Sequence, residues 1–411
     1  MNKRNILIGI VVIAAIVLLC KLLSDCVRIE TLPDNTVHAI IADFNEEESM
    51  PQKADIYIDA SASMKGYFIS DTPDFPGQMA NLAAMFRNKD VFFVDDPQPH
   101  TGMLTDIVSN LRKQPNRSVS NFDVLLSGMR DKVEDGKVVL LVTDGIMSVG
   151  RTTPKALKEL GYVVRDSLRD FEGAVAFFKF ESEFKSNMRY YSSASDERSR
   201  RVCYYTMKDE PIEVNVADRP YYVIAMGTKE NIRALRHNKL GAKNEIYFGI
   251  HDHDGHTTNT QSEDADSKLE VLNDPVVLNA TLPKCLVSLG KEYFDQNTEV
   301  YLNGVRVPSS AYGNRIIDEA GDINVIINQD VQKGGQPLVA NPLTGYVEFT
   351  VKVRNEIPDS WKALNSDDDS KIAIDSLEQW KTYGLLTLLN GIKEALDAED
   401  YLMELQFKFK P

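Results

Sequence analysis

Asp59, Ser61 and Ser63 alternate along the chain directly after the apolar run Ile56-Tyr57-Ile58, so a carboxylate and two hydroxyls follow the end of a short hydrophobic segment. Such oxygens suit a hard divalent cation. Asp144 occupies the matching place 85 residues on, closing the run Val138-Val139-Leu140-Leu141-Val142-Thr143. The unbroken apolar character of that run predicts a central parallel strand covered on both faces, and in open α/β sheets ligands gather at the C-terminal strand ends. Two neighbouring strands that each end in Asp bring two carboxylates together, and a divalent ion between them relieves the repulsion. Mg²⁺ fits best, with Mn²⁺ as the alternative: it takes about six oxygens and accepts hydroxyls and waters beside one or two carboxylates.

Asp59-x-Ser61-x-Ser63 followed by Thr143-Asp144-Gly145 resembles the von Willebrand factor A (vWA) family and its metal-ion-dependent adhesion site. The resemblance covers about residues 50–240. It implies that Asp59, Ser61 and Ser63 form the first metal loop and Asp144 the third. For the second loop, Ser120-Asn121-Phe122 followed by Leu125-Leu126 has the family layout with Ser in place of Thr, and Thr105, before Asp106, is the competing candidate. The family's usual Gly between the two serines is Ala62 here. The implied fold is a doubly wound, mostly parallel α/β sheet. The implied activity is capture of a protein partner's Asp or Glu through the bound ion.

An enzyme would need other residues. A phosphohydrolase with Asp59 as nucleophile wants a second Asp where this chain has Ser61, and a serine nucleophile needs a histidine base. Of six histidines only His38 and His100 precede residue 140, neither in a recognisable motif. The expected function is therefore recognition, with a metal-independent vWA scaffold in a permanent membrane complex as the first alternative and a phosphohydrolase as the second.

The 411 residues carry 46 basic against 61 acidic side chains, a net charge of −15, which excludes nucleic acid and an anionic membrane surface as partners. Lys3 and Arg4 precede the uncharged stretch Ile6 to Cys20, and Leu22-Leu23 extend it past Lys21. No Ala-x-Ala pattern follows, so residues 1–27 read as an uncleaved transmembrane signal anchor, a cleaved or lipidated signal being the alternative. The charge asymmetry puts the N-terminus in the cytoplasm and the bulk of the protein outside it, periplasmic or at the cell surface. Residues 28–49 read as a linker. Cys203 and Cys285 fall in different predicted domains and are expected as isolated buried thiols.

Past the third metal loop, Leu157, Leu160, Val164, Leu168 and Phe171 recur at helical spacing after Thr153-Pro154. A strand at 174–180 precedes a polar excursion, 185–219, that reads as a solvated surface hairpin; a strand at 221–226 and a short helix at 229–237 follow. Residues 241–411 are expected to form a β-rich, antiparallel module, immunoglobulin-like or related, from short runs at 246–250, 276–280, 300–302, 323–327 and 347–353. Within it, Ser366 to Asp369 reads as an acidic linker, Ser376 and Gln379 as a capping box opening a helix over 377–397, and the alternation from Met403 to Phe409 as a half-buried strand. His251-Asp252-His253-Asp254-Gly255-His256 lacks the spacing of a calcium loop or zinc site and reads as a polar loop.

Overall fold

The computed structural model describes residues 37–39, 50–69, 74–94, 96–111, 122–146, 154–187, 201–206, 210–250, 269–271, 276–281, 290–309, 316–317, 322–327, 342–343, 347–397 and 401–409. The predicted membrane anchor lies outside them. Among the described residues no helix is long and apolar enough to cross a membrane.

The chain divides into two compact units, one formed by 44–252 with 357–399 and the other by 1–43, 253–356 and 400–411. The first is built on a seven-stranded sheet of β1 (Lys53–Ile58), β2 (Asn88–Phe93), β3 (Asp96–His100), β4 (Lys137–Thr143), β5 (Ala174–Lys185), β6 (Asn215–Gly227) and β7 (Asn244–Phe248), in the order β7-β5-β6-β4-β1-β2-β3. β1 pairs in parallel with both β2 and β4, with Ile58 opposite Phe93 on one side and Val142 on the other. β3, which contains Pro97 and Pro99, runs antiparallel at the edge, where a missing N–H leaves no gap in a ladder.

The other half of the sheet departs from the expected winding. β6 lies antiparallel between β4 and β5, and β7 is antiparallel to β5. Four of the seven strands therefore share one direction, and the sheet is mixed. β5 and β6 are joined without any helix among the described residues between them, and an antiparallel pair needs no crossover.

Helices cover both faces, as the apolar runs require. Ile56, Ile58, Val138, Leu140 and Val142 share one buried cluster with α1 (Lys65–Phe68), α2 (Asp74–Ala84), α3 (Leu104–Leu111) and α6 (Lys229–Asn238). The alternate residues Val139, Leu141, Ile224 and Met226 pack with α4 (Phe122–Arg130), α5 (Pro154–Ser167) and α7 (Leu385–Leu396). The helix expected over 377–397 starts only at Leu385. Thr382–Tyr383 are held in a short parallel ladder with Asn365–Ser366, which interrupts the helical path, and the capping-box region forms the single 3₁₀ turn Glu378–Trp380. α5 and α7 approach so closely that a Cβ on Gly391 would lie 2.7 Å from the Gly161 carbonyl oxygen.

The boundary predicted at residue 240 is thus corrected twice. β7 extends the α/β sheet instead of opening the β module, and residues 357–399 return to the α/β unit. The acidic linker is no linker: Ser366 and Asp369 are buried.

The second unit is antiparallel throughout its described strands. One sheet has the order Val37–Ala39, Tyr401–Phe409, Val347–Arg354, Thr298–Leu302, Val305–Arg306, and the other the order Leu269–Val271, Val276–Thr281, Asp322–Ile327, Ile316–Ile317. The strand expected from the alternation at the chain end is Tyr401–Phe409.

Candidate metal centre

The register of β1 and β4 places Asp59 beside Thr143 at the C-terminal edge of the sheet. The Asp59 N–H donates to the Val142 carbonyl at 2.9 Å, continuing the parallel ladder by one step. Beyond it the chain turns tightly, with the Met64 N–H bonded to Ser61 O and the Lys65 N–H to Ala62 O. Ala62 is absent from the positions of positive φ, so the loop closes without needing a glycine there.

The turn folds the predicted ligands inward. Asp59, Ser61 and Asp144 are buried, at 2%, 8% and 3% exposure, and Ser63 is half-buried. Asp59 Oδ1 accepts the Ser61 N–H at 2.8 Å and its Oδ2 accepts the Thr143 hydroxyl at 3.0 Å. The Ser61 and Ser63 hydroxyls stand 3.1 Å apart. Asp144 Oδ1 accepts the Ile146 N–H at 3.2 Å, whereas Asp144 Oδ2 is buried without a hydrogen-bond partner. Burial first, and then the Asp59 carboxylate, push the Asp144 pKa up to about 6, against the opposing pull of Ser63, the Ile146 amide and Arg219.

The first loop and the end of β4 bring these four residues together. Ser120 lies outside the described residues, and Thr105 is half-buried in the first turn of α3. The His251–His256 loop and Cys285 lie outside the described residues; Cys203 is buried. Among the described residues no group of three or more His, Cys, Asp or Glu side chains could hold a metal, and the four predicted residues bring two carboxylates and two hydroxyls.

Several residues around the site escape a reading of the sequence. Arg219, at the end of what reads as a solvated excursion, is 1% exposed, with its guanidinium 4.8 Å from the Tyr204 ring centroid and its Nη1 donating to the Gln379 carbonyl at 2.7 Å. Val202, Cys203 and Tyr204, from the same excursion, are also buried. Tyr204 donates to Asp369 Oδ2 at 2.7 Å, and the Tyr222 hydroxyl shares a hydrogen bond with Thr382 Oγ1 at 3.1 Å. Burial raises the pKa of Tyr67, Tyr204 and Tyr222, and the field of Asp144 adds to it in each. Lys65, two residues beyond Ser63, is wholly buried. A lone Arg or Lys in a polar stretch ordinarily signals solvent, and only the tertiary packing marks these as interior.

Gly145 ties the third loop to this cluster. Its φ is +70°, and a Cβ there would lie 2.9 Å from the Tyr222 ring. Gly145→Ala is expected to cost about 2 kcal/mol or more, read as a lowered midpoint in thermal or urea unfolding. An unchanged midpoint would show that the loop relaxes freely.

Compared with known proteins, the chain matches no family model, no curated protein and no solved structure.

Proposed function

We propose that the α/β unit is a von Willebrand factor A-type binding module in which Asp59, Ser61, Ser63 and Asp144 hold Mg²⁺ or Mn²⁺, with Ser120 or Thr105 supplying the second-loop hydroxyl. The observation that carries the reading is Asp144 Oδ2: a buried carboxylate oxygen without a hydrogen-bond partner, close to a second buried carboxylate, is what a cation would satisfy. When bound, the ion supplies a coordination position for an Asp or Glu of a protein partner. The chain's own residues orient that position. Thr143 and the Ser61 amide hold the Asp59 carboxylate, Ile146 holds one oxygen of Asp144, and the paired serine hydroxyls sit in the first loop. In this reading residues 1–27 anchor the module in a membrane, with the bulk outside the cytoplasm, and the protein recognises without turnover.

Arg219 favours a second reading, a metal-independent scaffold, because a fixed buried cation opposes the rise of the Asp144 pKa. Its pull falls short: burial first, and then the Asp59 carboxylate, still hold Asp144 at about 6, so a buried charge is left for an ion to offset. Titration calorimetry of the full chain with MgCl₂ separates the readings. Binding that disappears in both Asp59→Ala and Asp144→Ala supports the metal site, and heats equal to those of buffer would establish the scaffold. Of Ser120→Ala and Thr105→Ala, the variant that weakens binding identifies the second loop.

A further inference from the structure

We infer that Ile374, Leu377 and Trp380 form a docking surface for a basic amphipathic segment of a protein partner, independent of any metal at Asp59 and Asp144. The three side chains are 86%, 72% and 40% exposed, and they fall within one stretch of seven residues. Isolated apolar residues at a surface are ordinary, but large ones gathered in one place mark an interaction site.

The stretch is held firmly. Ile372 is fully buried beneath it, and Asp369 accepts the Tyr204 hydroxyl at 2.7 Å. The Ser366 hydroxyl donates to Glu378 at 2.9 Å, Lys381 to the same carboxylate at 2.7 Å, and Arg219 to the Gln379 carbonyl at 2.7 Å. Such bonds on both sides of the triad fix its backbone before anything binds, which lowers the ordering cost of association. Trp380 adds the residue type most enriched among those that dominate interfaces.

Charge selects the occupant. With Asp369 buried and Glu378 paired with Lys381, residues 366–381 present Asp367, Asp368 and Asp375 against Lys371. An anionic bilayer would be repelled, and a second copy would set like charges against each other on a chain of net charge −15. A segment with apolar side chains on one face and Lys or Arg on the other satisfies both the triad and its acidic surroundings.

The chain reports on the surface by itself, because its two tryptophans are the wholly buried Trp361 and the exposed Trp380. The full chain, in non-ionic detergent with EDTA present, is titrated with a synthetic helical Leu/Lys peptide while tryptophan emission and acrylamide quenching are followed. The expected result is a blue shift and reduced quenching, absent with a Leu/Glu peptide of the same length. The double variant Ile374→Ser, Leu377→Ser, both positions being exposed, should melt at the wild-type temperature and bind the Leu/Lys peptide roughly tenfold or more weakly. Equal responses to the two peptides, unchanged affinity of the double variant, a response only to phosphatidylglycerol vesicles, or a blue shift produced by raising the protein concentration alone would each overturn the inference.

Discussion

Asp144→Asn is expected to stabilise the metal-free protein by roughly 2 kcal/mol at pH 8, since a rise of about two pKa units corresponds to somewhat under 3 kcal/mol and the new amide retains part of the burial cost. The folded-state pKa of Asp144, about 6, lies above the 3.8 of an ordinary Asp, so between these values the folded chain holds more protons than the unfolded one. Stability then falls as pH rises through that window, and the penalty is complete above it. The gain from Asn should therefore be largest at pH 8 and shrink towards nothing at pH 4, where the wild-type carboxyl is already neutral. Urea unfolding in EDTA at the two pH values measures it. In excess Mg²⁺ the order should reverse, because an ion that binds only the folded wild type stabilises it by mass action while the variant has lost a ligand. A variant less stable than wild type at pH 8 in EDTA would mean that Asp144 is well satisfied without metal.

The second large effect concerns residues 357–399. α7 contributes Leu385, Leu388, Leu389 and Ile392, all fully buried, to the cluster beneath β4, β5 and β6, and Trp361 is wholly buried in the same cluster. A chain shortened to residues 44–252 would expose that face of the sheet to water. It is expected to lose cooperative unfolding and near-ultraviolet circular dichroism, and joining 357–399 to it through a flexible Gly/Ser linker should restore both. Within the full chain, Leu389→Ala should cost about 2–5 kcal/mol and Trp361→Ala about 3–5 kcal/mol, each leaving a cavity in a packed interior. A 44–252 fragment that melts as sharply as the full chain would refute the dependence.

Local pattern sufficed wherever physics acts over a few residues. β1 and β4 follow from their apolar runs, α5 from its spacing, and the strand Tyr401–Phe409 from strict alternation, because burial on one face or on both leaves its period in the chain. The placement of Asp59, Ser61, Ser63 and Asp144 was legible for the same reason, since each carboxylate sits one step past a strand end and the two serines follow within four residues of Asp59.

What the sequence could not determine is which segments pair across long separations. That β6 inserts antiparallel beside β4 depends on competition among strands of similar hydrophobicity, and an apolar run carries no direction. The return of residues 357–399 to the α/β unit, more than 100 residues after β7, likewise depends on which apolar face remains uncovered once the other elements have packed. Arg219 and Asp369 read as surface residues because charge predicts solvent unless the fold supplies partners or burial. Only the tertiary structure, by bonding Tyr204 to Asp369, Arg219 to Gln379 and Tyr222 to Thr382, turned a polar excursion and an acidic stretch into buried packing.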